Sequence, residues 1–321
     1  MSTLVFLEHH GSAFQKGPLG VLAKAAELDP DTSAVIIGSG VREMAAGAGR
    51  YGATKVFVAD DPALEAPLPQ PRVDVISKLV QDQGFDTVLF AASVLAADVA
   101  GGVSSRLEAG LNWDLNDLAT DGGDLVGKRS ALGDTVRADV GWKGGGPRLG
   151  LVRAGSFDPV EKGGEATVED VAVSIEDFSS QAVMVDQAHE VQSGPSIEDA
   201  EILVTGGRGL GAPEKFSLLE ELASALGAAV GSTRAVVDSG WYPYATQIGQ
   251  TGKVVSPKLY IGAGVSGAIQ HKVGMQTSQV IVAINKDANA PIFEFSDLGV
   301  VGDLHDVVPK LTELVKTRKA S

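Results

Sequence analysis

Residues 260–271 read Tyr260-Ile261-Gly262-Ala263-Gly264-Val265-Ser266-Gly267-Ala268-Ile269-Gln270-His271. The glycines form a G-x-G-x-x-G pattern that follows a predicted strand and precedes a predicted helix. In that setting glycines let backbone amides approach a pyrophosphate, and the N-terminus of the helix adds partial positive charge. The stretch therefore predicts a Rossmann-like nucleotide-binding domain, and the alternative left open is a close-packed turn.

An acidic residue lies where such a domain contacts a ribose. The next predicted strand ends in Asn285-Lys286-Asp287, and Asp287 follows Gly267 by 20 positions. An acidic side chain at about this spacing can reach the ribose hydroxyls of a bound dinucleotide. Taken alone, this loop would favour NAD as the ligand.

A second glycine-rich turn also joins a predicted strand to a predicted helix. It reads Thr205-Gly206-Gly207-Arg208-Gly209-Leu210-Gly211. The guanidinium of Arg208 suits bidentate contact with a phosphate or with a carbonyl-rich ring. A flexible loop with a solvated Arg208 is the other interpretation that these residues allow.

Two polar segments occur in otherwise apolar surroundings, Thr233-Arg234 and Gln247-Ile248-Gly249-Gln250-Thr251-Gly252. Amide, hydroxyl and guanidinium donors without acidic partners suit an electron-rich heterocycle. Reduction of a flavin puts negative charge on its N1–C2=O side, and a nearby Arg or His would stabilise that charge. The second segment is also ordinary hairpin composition, so a plain hairpin remains the alternative.

The first ~115 residues alternate short apolar runs with helix-length segments. Runs rich in Val, Ile and Phe without polar alternation favour strands buried on both faces of a parallel sheet. The alternation itself indicates a βαβ architecture. The runs are Leu4–Leu7, Ala34–Ile37, Val56–Ala59 and Thr87–Ala91, and the helical segments are Leu19–Leu28, Val41–Tyr51, Val73–Gln83 and Ala97–Ala109.

The pattern changes from Leu118 to Val191, where strand-like pieces are separated by Gly-rich turns. Val136–Val140, Leu149–Arg153 and Val168–Ile175 are expected to be antiparallel strands that complete or cap the first domain. The polar stretch Gln192-Ser193-Gly194-Pro195-Ser196 then marks a boundary. We therefore predict an N-terminal α/β domain over residues 1–192 and a second domain over residues 196–321.

The second domain repeats the α/β pattern. Its first helix is expected to start near Pro213 and to close at Gly227, and its last to run from Leu304 to about Lys316 with Asp303 as N-cap. The predicted strands are Ile202–Thr205, Lys258–Ile261 and Val280–Ile284.

Composition excludes several classes of function. The net charge of −15 argues against nucleic acid as a partner, because such binding needs a basic face. The chain has no Cys, which removes disulfides, thiolate metal sites and cysteine nucleophiles. No apolar segment approaches the ~18 residues of a membrane span, and the N-terminus lacks the pattern of a leader. The expected location is cytoplasmic.

Dedicated catalytic groups are not evident in the sequence. The sparse histidines show no metal-binding spacing, and His9-His10 is interpreted as a surface turn. No G-x-S-x-G nucleophile elbow is present. His271 differs from the other histidines because it lies one helical turn after the glycine-rich loop. The sequence therefore nominates no dedicated nucleophile or general base.

At these residues the sequence closely resembles the electron-transfer flavoprotein α-subunit family. The resemblance covers about Ile202 to Leu314, and the N-terminal domain matches more loosely. The matching motifs, in the family's order, are Gly206-Gly207-Arg208-Gly209, Gly249-Gln250-Thr251-Gly252, Lys258-Leu259-Tyr260-Ile261, Gly264-Val265-Ser266-Gly267-Ala268-Ile269-Gln270-His271, Ile284-Asn285-Lys286-Asp287 and Ala290-Pro291-Ile292-Phe293.

The resemblance implies two α/β domains. The N-terminal one would carry a mostly parallel sheet with added antiparallel strands and would pack against a β-subunit that binds AMP. The C-terminal one would be a Rossmann-like FAD-binding domain. The protein would be a heterodimer that accepts electrons from flavin dehydrogenases, such as the acyl-CoA dehydrogenases of fatty-acid β-oxidation, and passes them to a quinone oxidoreductase or another acceptor.

The resemblance also implies roles for individual residues. Arg208 would contact the flavin nucleotide, and Thr233 would supply the small hydroxyl before the flavin arginine. Arg234 would lie over the isoalloxazine, Thr251 would hydrogen-bond near N5, and His271 would donate near the C2 carbonyl. The remaining expected FAD contacts are Gln247, Gly249 and Gln250 on the ring side, Gly264, Ser266, Gly267, Ala268, Ile269 and Gln270 along the pyrophosphate and ribityl chain, and Asn285, Asp303 and Leu304 at the adenosine end.

Two positions depart from the family pattern. Tyr244-Ala245 replaces a common Asn-Asp pair, and Thr233 replaces a commoner Ser while keeping the hydroxyl. The change at Tyr244 leaves the redox partner less certain than the cofactor.

Three other functions stay open. The alternatives are an electron-bifurcating flavoprotein subunit, a nicotinamide-dependent dehydrogenase, and a nucleotide-sensing or assembly protein.

Overall fold

The fold is described from a computed structural model, which describes residues 1–132, 136–186, 196–198 and 200–319. The chain separates into two compact units, Met1–Gln187 and Ala188–Ser321. Residues 192–195 of the predicted boundary lie outside the described residues, so the limits 1–192 and 196–321 stay a prediction. No helix in the described part is long and apolar enough to cross a membrane.

The first unit alternates strands and helices over its first half and then becomes mainly β. In chain order it contains β1 Thr3–Leu7, β2 His9–His10, β3 Ala13–Phe14, α1 Lys16–Leu28, β4 Ser33–Gly38, α2 Arg42–Ala45, β5 Lys55–Asp60, α3 Pro69–Gln83, β6 Thr87–Ala91, α4 Val94–Arg106, β7 Leu111–Asp121, β8 Asp124–Ala131, β9 Val136–Val140, β10 Arg148–Val152 and β11 Thr167–Asp170.

Within the described residues, these strands form one mixed sheet and a small hairpin. The sheet order is β11-β5-β4-β1-β6-β10-β7-β8-β9, and β2 pairs only with β3. The central strands β1 and β6 are buried at every position, as the unbroken apolar runs predicted. Helix α4 starts at Ser93, whose hydroxyl accepts a hydrogen bond from the Ala96 amide.

The prediction of antiparallel strands is wrong for two of the three pieces. Strand β9 is antiparallel to β8, as expected, but β10 runs parallel to both β6 and β7. Strand β11 is parallel to β5. The cause for β10 is its position inside the sheet, where four of its five residues are buried and a continuous apolar run is required. The Gly-rich turns that flank β10 did not indicate that this strand lies inside the sheet.

The second unit is an all-parallel α/β structure. Its elements are β12 Ile202–Gly206, α5 Ser217–Leu226, β13 Ala229–Thr233, α6 Arg234–Val237, β14 Gln247–Ile248, β15 Leu259–Ala263, α7 Ile269–Lys272, β16 Val280–Asn285, β17 Leu298–Val301 and α8 Leu304–Lys319. The strand order is β14-β13-β12-β15-β16-β17, which is the 3-2-1-4-5-6 order of a Rossmann sheet. Helix α5 buries Leu219 and Leu222 and ends at Gly227, which has the left-handed φ of 76°.

The segment after β15 differs from the prediction in two ways. Gly262 lies within β15 and is buried, so the loop that follows the strand begins at Gly264. The helix expected after the loop is the single turn α7. A full helix dipole is therefore not available at this point, because the dipole comes from many aligned peptide units.

The loops after β12 and β15 touch through their backbones. The Gly207 amide donates to the Ala263 carbonyl at 3.0 Å, and the Gly209 amide donates to the Gly264 carbonyl at 3.0 Å. A Cβ atom on Gly207 would lie 2.1 Å from the Gly264 carbonyl oxygen. These strands flank the point where the strand order reverses, which is where open α/β sheets bind ligands.

Gly207→Ala should therefore separate the two loops. We expect a cost of about 2–3 kcal/mol in unfolding free energy, because the neighbouring atoms are backbone and cannot rotate away. The content of FAD, the cofactor that the resemblance implies, should fall strongly in the purified chain. Gly211→Ala is the matched control, since Gly211 has a φ of 84° but no atom within 4 Å of an added Cβ. It should cost about 1–2 kcal/mol and keep the cofactor. Full FAD content in Gly207→Ala would contradict the expectation.

Candidate functional site

The predicted site residues come from loops at one edge of the second unit's sheet. Gly206 at the end of β12 is in register with Ser232 of β13 and with Ala263 of β15. Thr233 is in register with Ile248 of β14. Ala263 is in register with Ile284, one residue before the end of β16. Because the strands are parallel, the loops that follow them all emerge at the carboxyl edge.

The loop after β15 offers backbone donors without protein acceptors. In the part of the chain that the structure describes, the amides of Ser266, Gly267 and Ala268 donate to no carbonyl or side chain. Gly264 and Gly267 have left-handed φ values of 66° and 85°. Successive unpaired amides beside residues in the left-handed region can form a concave anion site. The loop therefore fits a pyrophosphate, although α7 is only one turn long.

Arg208 supplies a positive charge beside that loop. Its side chain is exposed, and no carboxylate among the described residues forms an ion pair with it. Gly209, next to it in sequence, contacts the Cα of Gly264 so closely that an added Cβ would lie at 2.6 Å. The backbone next to Arg208 is thus held against the start of the loop that carries the unpaired amides, and a guanidinium on this backbone suits pairing with a phosphate.

The Gly249–Gly252 turn closes against the segment that follows β15. The Gln250 amide donates to the Gln270 carbonyl at 2.7 Å. The buried Gln247 side chain donates to the carbonyl of Thr251 at 2.9 Å and to its hydroxyl at 3.2 Å. The Tyr244 hydroxyl also donates to the Thr251 carbonyl, at 3.1 Å. The structure therefore brings the Gly249–Gly252 turn against Gln270, and Tyr244 has a local role that the sequence did not indicate.

Thr233 and Arg234 lie on the next loop along the edge. Thr233 is half-buried, and its side chain makes no capping hydrogen bond to α6. Arg234 is 63% exposed, and its Nε donates to the Asp238 carboxylate at 3.2 Å, one turn further on. The cation is therefore near the surface and partly balanced by an acidic neighbour. The sequence analysis described these donors as a cluster without acidic partners, and it did not identify Asp238 as the partner of Arg234.

His271 is buried and fully engaged within the protein. Its Nδ1 lies 3.0 Å from the Ile248 carbonyl, and its Nε2 lies 2.7 Å from the Tyr260 hydroxyl. A carbonyl can only accept, so Nδ1 carries the proton and Nε2 accepts from Tyr260. Burial lowers the pKa of His271 to about 4. In this arrangement neither ring nitrogen is available to donate to a flavin carbonyl, so that expected role is untested and would need an exchange of partners.

Three residues that the resemblance places at the adenosine end make contacts within the protein. The Asn285 amide donates to the Val265 carbonyl at 2.9 Å and so anchors the loop after β15. Asp303 accepts from the His305 amide at 2.9 Å, which makes it the N-cap of α8 as predicted. Leu304 is buried and packs against Gly264. Any contact of these residues with an adenosine remains a prediction.

The cofactor implied by the resemblance fits this edge of the sheet. The unpaired amides after β15 and the unpaired Arg208 suit a pyrophosphate. The polar turn at Gly249–Gly252 and the Thr233-Arg234 loop, at the other end, suit a ring bearing carbonyl and nitrogen acceptors. Side chains exposed along the path between them include Ser266, Ala268, Ile269 and Gln270. The edge can thus hold an elongated dinucleotide that carries a polar ring.

Comparison with known families decides which dinucleotide this is. The model described as "Electron transfer flavoprotein FAD-binding domain" matches residues 196–276. The model described as "Electron transfer flavoprotein domain" matches residues 3–176. The chain belongs to the electron transfer flavoprotein α-subunit family. The FAD assignment also resolves the choice that the glycine pattern alone left between FAD and NAD.

Relatives from distant bacteria match almost end to end. "Electron transfer flavoprotein subunit alpha" of Mycobacterium leprae (strain TN) is 40% identical over 320 residues, which is 98% of each chain. The protein of the same name from Bacillus subtilis (strain 168) is 38% identical over 296 residues, covering 90% of this chain and 88% of that one. The one from Megasphaera elsdenii is 37% identical over 301 residues, covering 92% and 89%.

Family membership confirms the main functional prediction. This electron transfer flavoprotein α-subunit acts as an electron carrier with FAD as its cofactor, and it implies a β-subunit as partner. The mostly parallel N-terminal sheet and the all-parallel FAD-binding sheet are confirmed as well. The sequence did not reveal the contact between the Tyr260 hydroxyl and His271, because the two residues are 11 positions apart and are brought close only by folding.

The depressed pKa of His271 predicts a specific loss of stability in acid. The unfolded chain binds a proton below pH ~6.5, whereas the folded imidazole stays neutral until about pH 4. The unfolded state is therefore favoured as the pH falls between these values, by up to about 3 kcal/mol. Hydrogen exchange of the β15 amides, followed from pH 7 to pH 4, should show this loss. His271→Gln, which cannot titrate, should lose less over the same range, and equal losses would contradict the assignment.

Proposed function

We propose that the FAD pyrophosphate binds the Ser266–Gln270 loop and Arg208, with the isoalloxazine ring between Arg234 and the Gly249–Gly252 turn. The unpaired amides and the unpaired guanidinium support the position of the phosphates. The polar turn, closed by Gln247 and Tyr244, supports the position of the ring. Thr233 would contact the ring from the loop it shares with Arg234, and Asn285 and Asp303 would face the adenosine end.

When bound, FAD accepts and releases one or two electrons per cycle, which is the chemistry of the carrier. The chain's own residues position that group and balance its charge. Arg234 would place a positive charge beside the expected ring position, and Asp238 would reduce its effect through their ion pair. Thr251 presents a hydroxyl on a turn fixed by the Gln247 amide, which suits a hydrogen bond to a ring nitrogen.

We further propose that the subunit works in a heterodimer whose β-subunit binds AMP. Flavin dehydrogenases such as acyl-CoA dehydrogenases would donate the electrons, and a quinone oxidoreductase or another acceptor would receive them. The support is the relatedness of this chain to α-subunits along its whole length. The cytoplasmic location stays a prediction from the sequence.

A simple carrier and an electron-bifurcating protein can be told apart by counting cofactors. The co-expressed αβ complex of a simple carrier should contain one FAD in the α-subunit and one AMP in the β-subunit. A bifurcating complex should instead contain a second FAD in place of AMP and should be reduced by NADH. We expect the first result, measured by absorbance and nucleotide chromatography. A second FAD per complex would refute the carrier proposal and leave FAD binding by this chain intact.

Substitutions at the Arg234–Asp238 pair should shift the reduction potential of the flavin in opposite directions. Arg234→Ala removes a positive charge that favours the reduced, more negative ring, so the potential should become more negative. Asp238→Asn removes the opposing charge, so the potential should become more positive. A tenfold change in relative affinity for the two redox states corresponds to about 60 mV per electron.

The control for this pair is Arg318→Ala, an exposed arginine near the C-terminal end of α8. Its neighbour Lys319 contacts the Leu226 carbonyl at the end of α5, so this position lies away from the loops at the carboxyl edge. Arg318→Ala should leave the potential unchanged in a spectroelectrochemical titration. No shift in either Arg234→Ala or Asp238→Asn would exclude the proposed ring position.

A further inference from the structure

We propose that Lys215 and His305 form a cationic contact for the diphosphate of FAD, in which His305 holds the ammonium group and Lys215 pairs with a phosphate oxygen. The Nζ atom of Lys215 lies 3.4 Å from the Nε2 atom of His305, although the two residues are 90 positions apart in the chain. The sequence pointed to neither residue. The proposal deepens the proposed function and rests on the phosphate position given there.

Lys215 lies next to the glycine-rich turn that follows β12. It directly precedes Phe216, which is buried with its ring 2.6 Å from the place of an added Cβ on Gly206. The 3-10 turn that carries Lys215, Pro213–Phe216, also contacts the 3-10 turn that carries Arg208. The ammonium therefore belongs to the same corner of the sheet as the Arg208 guanidinium.

His305 lies next to the loop that follows β15. It directly follows Leu304 in α8, and a methyl group of the buried Leu304 side chain lies 2.8 Å from the place of an added Cβ on Gly264. Gly264 begins the loop whose amides at Ser266–Ala268 have no acceptor among the described residues. The two basic side chains thus meet beside the two loops that are proposed to hold the phosphates.

The chemistry of the contact determines which atom donates. A lysine ammonium can only donate, so Nε2 of His305 accepts and the proton of the neutral ring is on Nδ1. The ammonium keeps further N–H groups for another acceptor. In the described part of the chain Lys215 forms no ion pair with a carboxylate. A phosphate oxygen is a group with which such an ammonium makes a charge-assisted hydrogen bond.

The acidic neighbours of the pair are occupied elsewhere or lie beside it in sequence. Asp303 accepts from the His305 amide at 2.9 Å and so caps α8. Glu214 precedes Lys215, and Asp306 follows His305. Because these charges and the net charge of −15 oppose an anionic ligand, a cation held close to the phosphates has a larger effect than one that moves freely.

The two residues have different tasks in this contact. Lys215 would touch the phosphate, whereas His305 is a positioning residue that acts through Lys215. Lysine has many rotamers, and ordering such a side chain opposes binding. An ammonium that already rests against the imidazole loses less freedom when the ligand arrives. Removing the imidazole should therefore weaken the contact, and removing the ammonium should abolish it.

Titration of the flavin-free αβ complex with FAD tests the contact. Lys215→Met keeps the length of the side chain and removes its charge, so it should weaken FAD binding about three- to fivefold at low salt, as expected for one exposed ion contact. The loss should shrink as the salt concentration rises, because salt screens exposed charges. Lys215→Arg should retain the affinity. In ³¹P spectra of the loaded complex, Lys215→Met should move a diphosphate resonance and leave the flavin absorption spectrum unchanged.

His305→Phe tests the positioning role, since it keeps an aromatic ring and removes the acceptor. It should weaken FAD binding about twofold in the wild-type background and have no further effect in Lys215→Met, because the two residues act as one contact. An equal loss in both backgrounds would overturn the role of His305.

Lys316→Met is the matched control, because Lys316 is an exposed lysine on the same helix as His305 and the change of charge is identical. Lys316 follows His305 by 11 positions. This spacing corresponds to about 16 Å along the helix, beyond the ~8 Å over which exposed charges interact at physiological salt. The control should leave FAD affinity unchanged. An equal loss in Lys316→Met and Lys215→Met would overturn the proposal.

Arg208→Gln separates failure of this proposal from failure of the proposed function. If Arg208→Gln weakens FAD binding and Lys215→Met does not, the phosphates lie where they are proposed to lie and the contact with Lys215 is wrong. If neither variant weakens binding, the phosphate position itself is wrong. A loss in both, with Lys316→Met unchanged, is the expected result.

Discussion

The site depends on one close contact between two backbones at the point where the strand order reverses. Gly207 and Gly209 after β12 lie directly against Gly264 after β15, with hydrogen bonds between their loops. The contact is possible because none of these residues has a side chain. It fixes Arg208 on one side relative to the unpaired amides on the other. The proposed phosphate site therefore requires that these two loops touch.

A second constraint acts at the other end of the edge. There β14 and β15 are separated by two strands, and the loops that follow them are joined by the backbone hydrogen bond from Gln250 to Gln270 and by the side chain of His271. A buried imidazole with one donor and one acceptor can bridge such a gap if its tautomer is fixed. The Ile248 carbonyl fixes it from one side and the Tyr260 hydroxyl from the other. Burial keeps the ring neutral, so the bridge carries no charge of its own at neutral pH.

The sequence predicted what local patterns encode. Unbroken apolar runs placed β1, β4, β5 and β6 within one or two residues, and the order of glycine-rich turns identified the family. Local patterns do not encode which strands pair when those strands are far apart in the sequence. Strand β10 is parallel because of where it inserts, and the short strands β13 and β17 are each interrupted by a glycine, so neither presents an unbroken apolar run. Amphipathic α5 and the cap at Asp303 were predictable because their signals are local.

For the proposed site, the sequence predicted loops that the structure brings to one edge of the sheet, but not what each side chain contacts. Spacing could not show that Gly262 serves the Tyr260 ring, or that Asp238 pairs with Arg234, because both depend on contacts made by folding. The kinds of group in the proposed site have a consequence for function. In the proposed site, the backbone amides after β15, Arg234 and the Gly249–Gly252 turn would already be arranged before charge develops on the ring. Few groups then need to move when electrons arrive or leave, which suits a carrier that must pass between two redox states repeatedly.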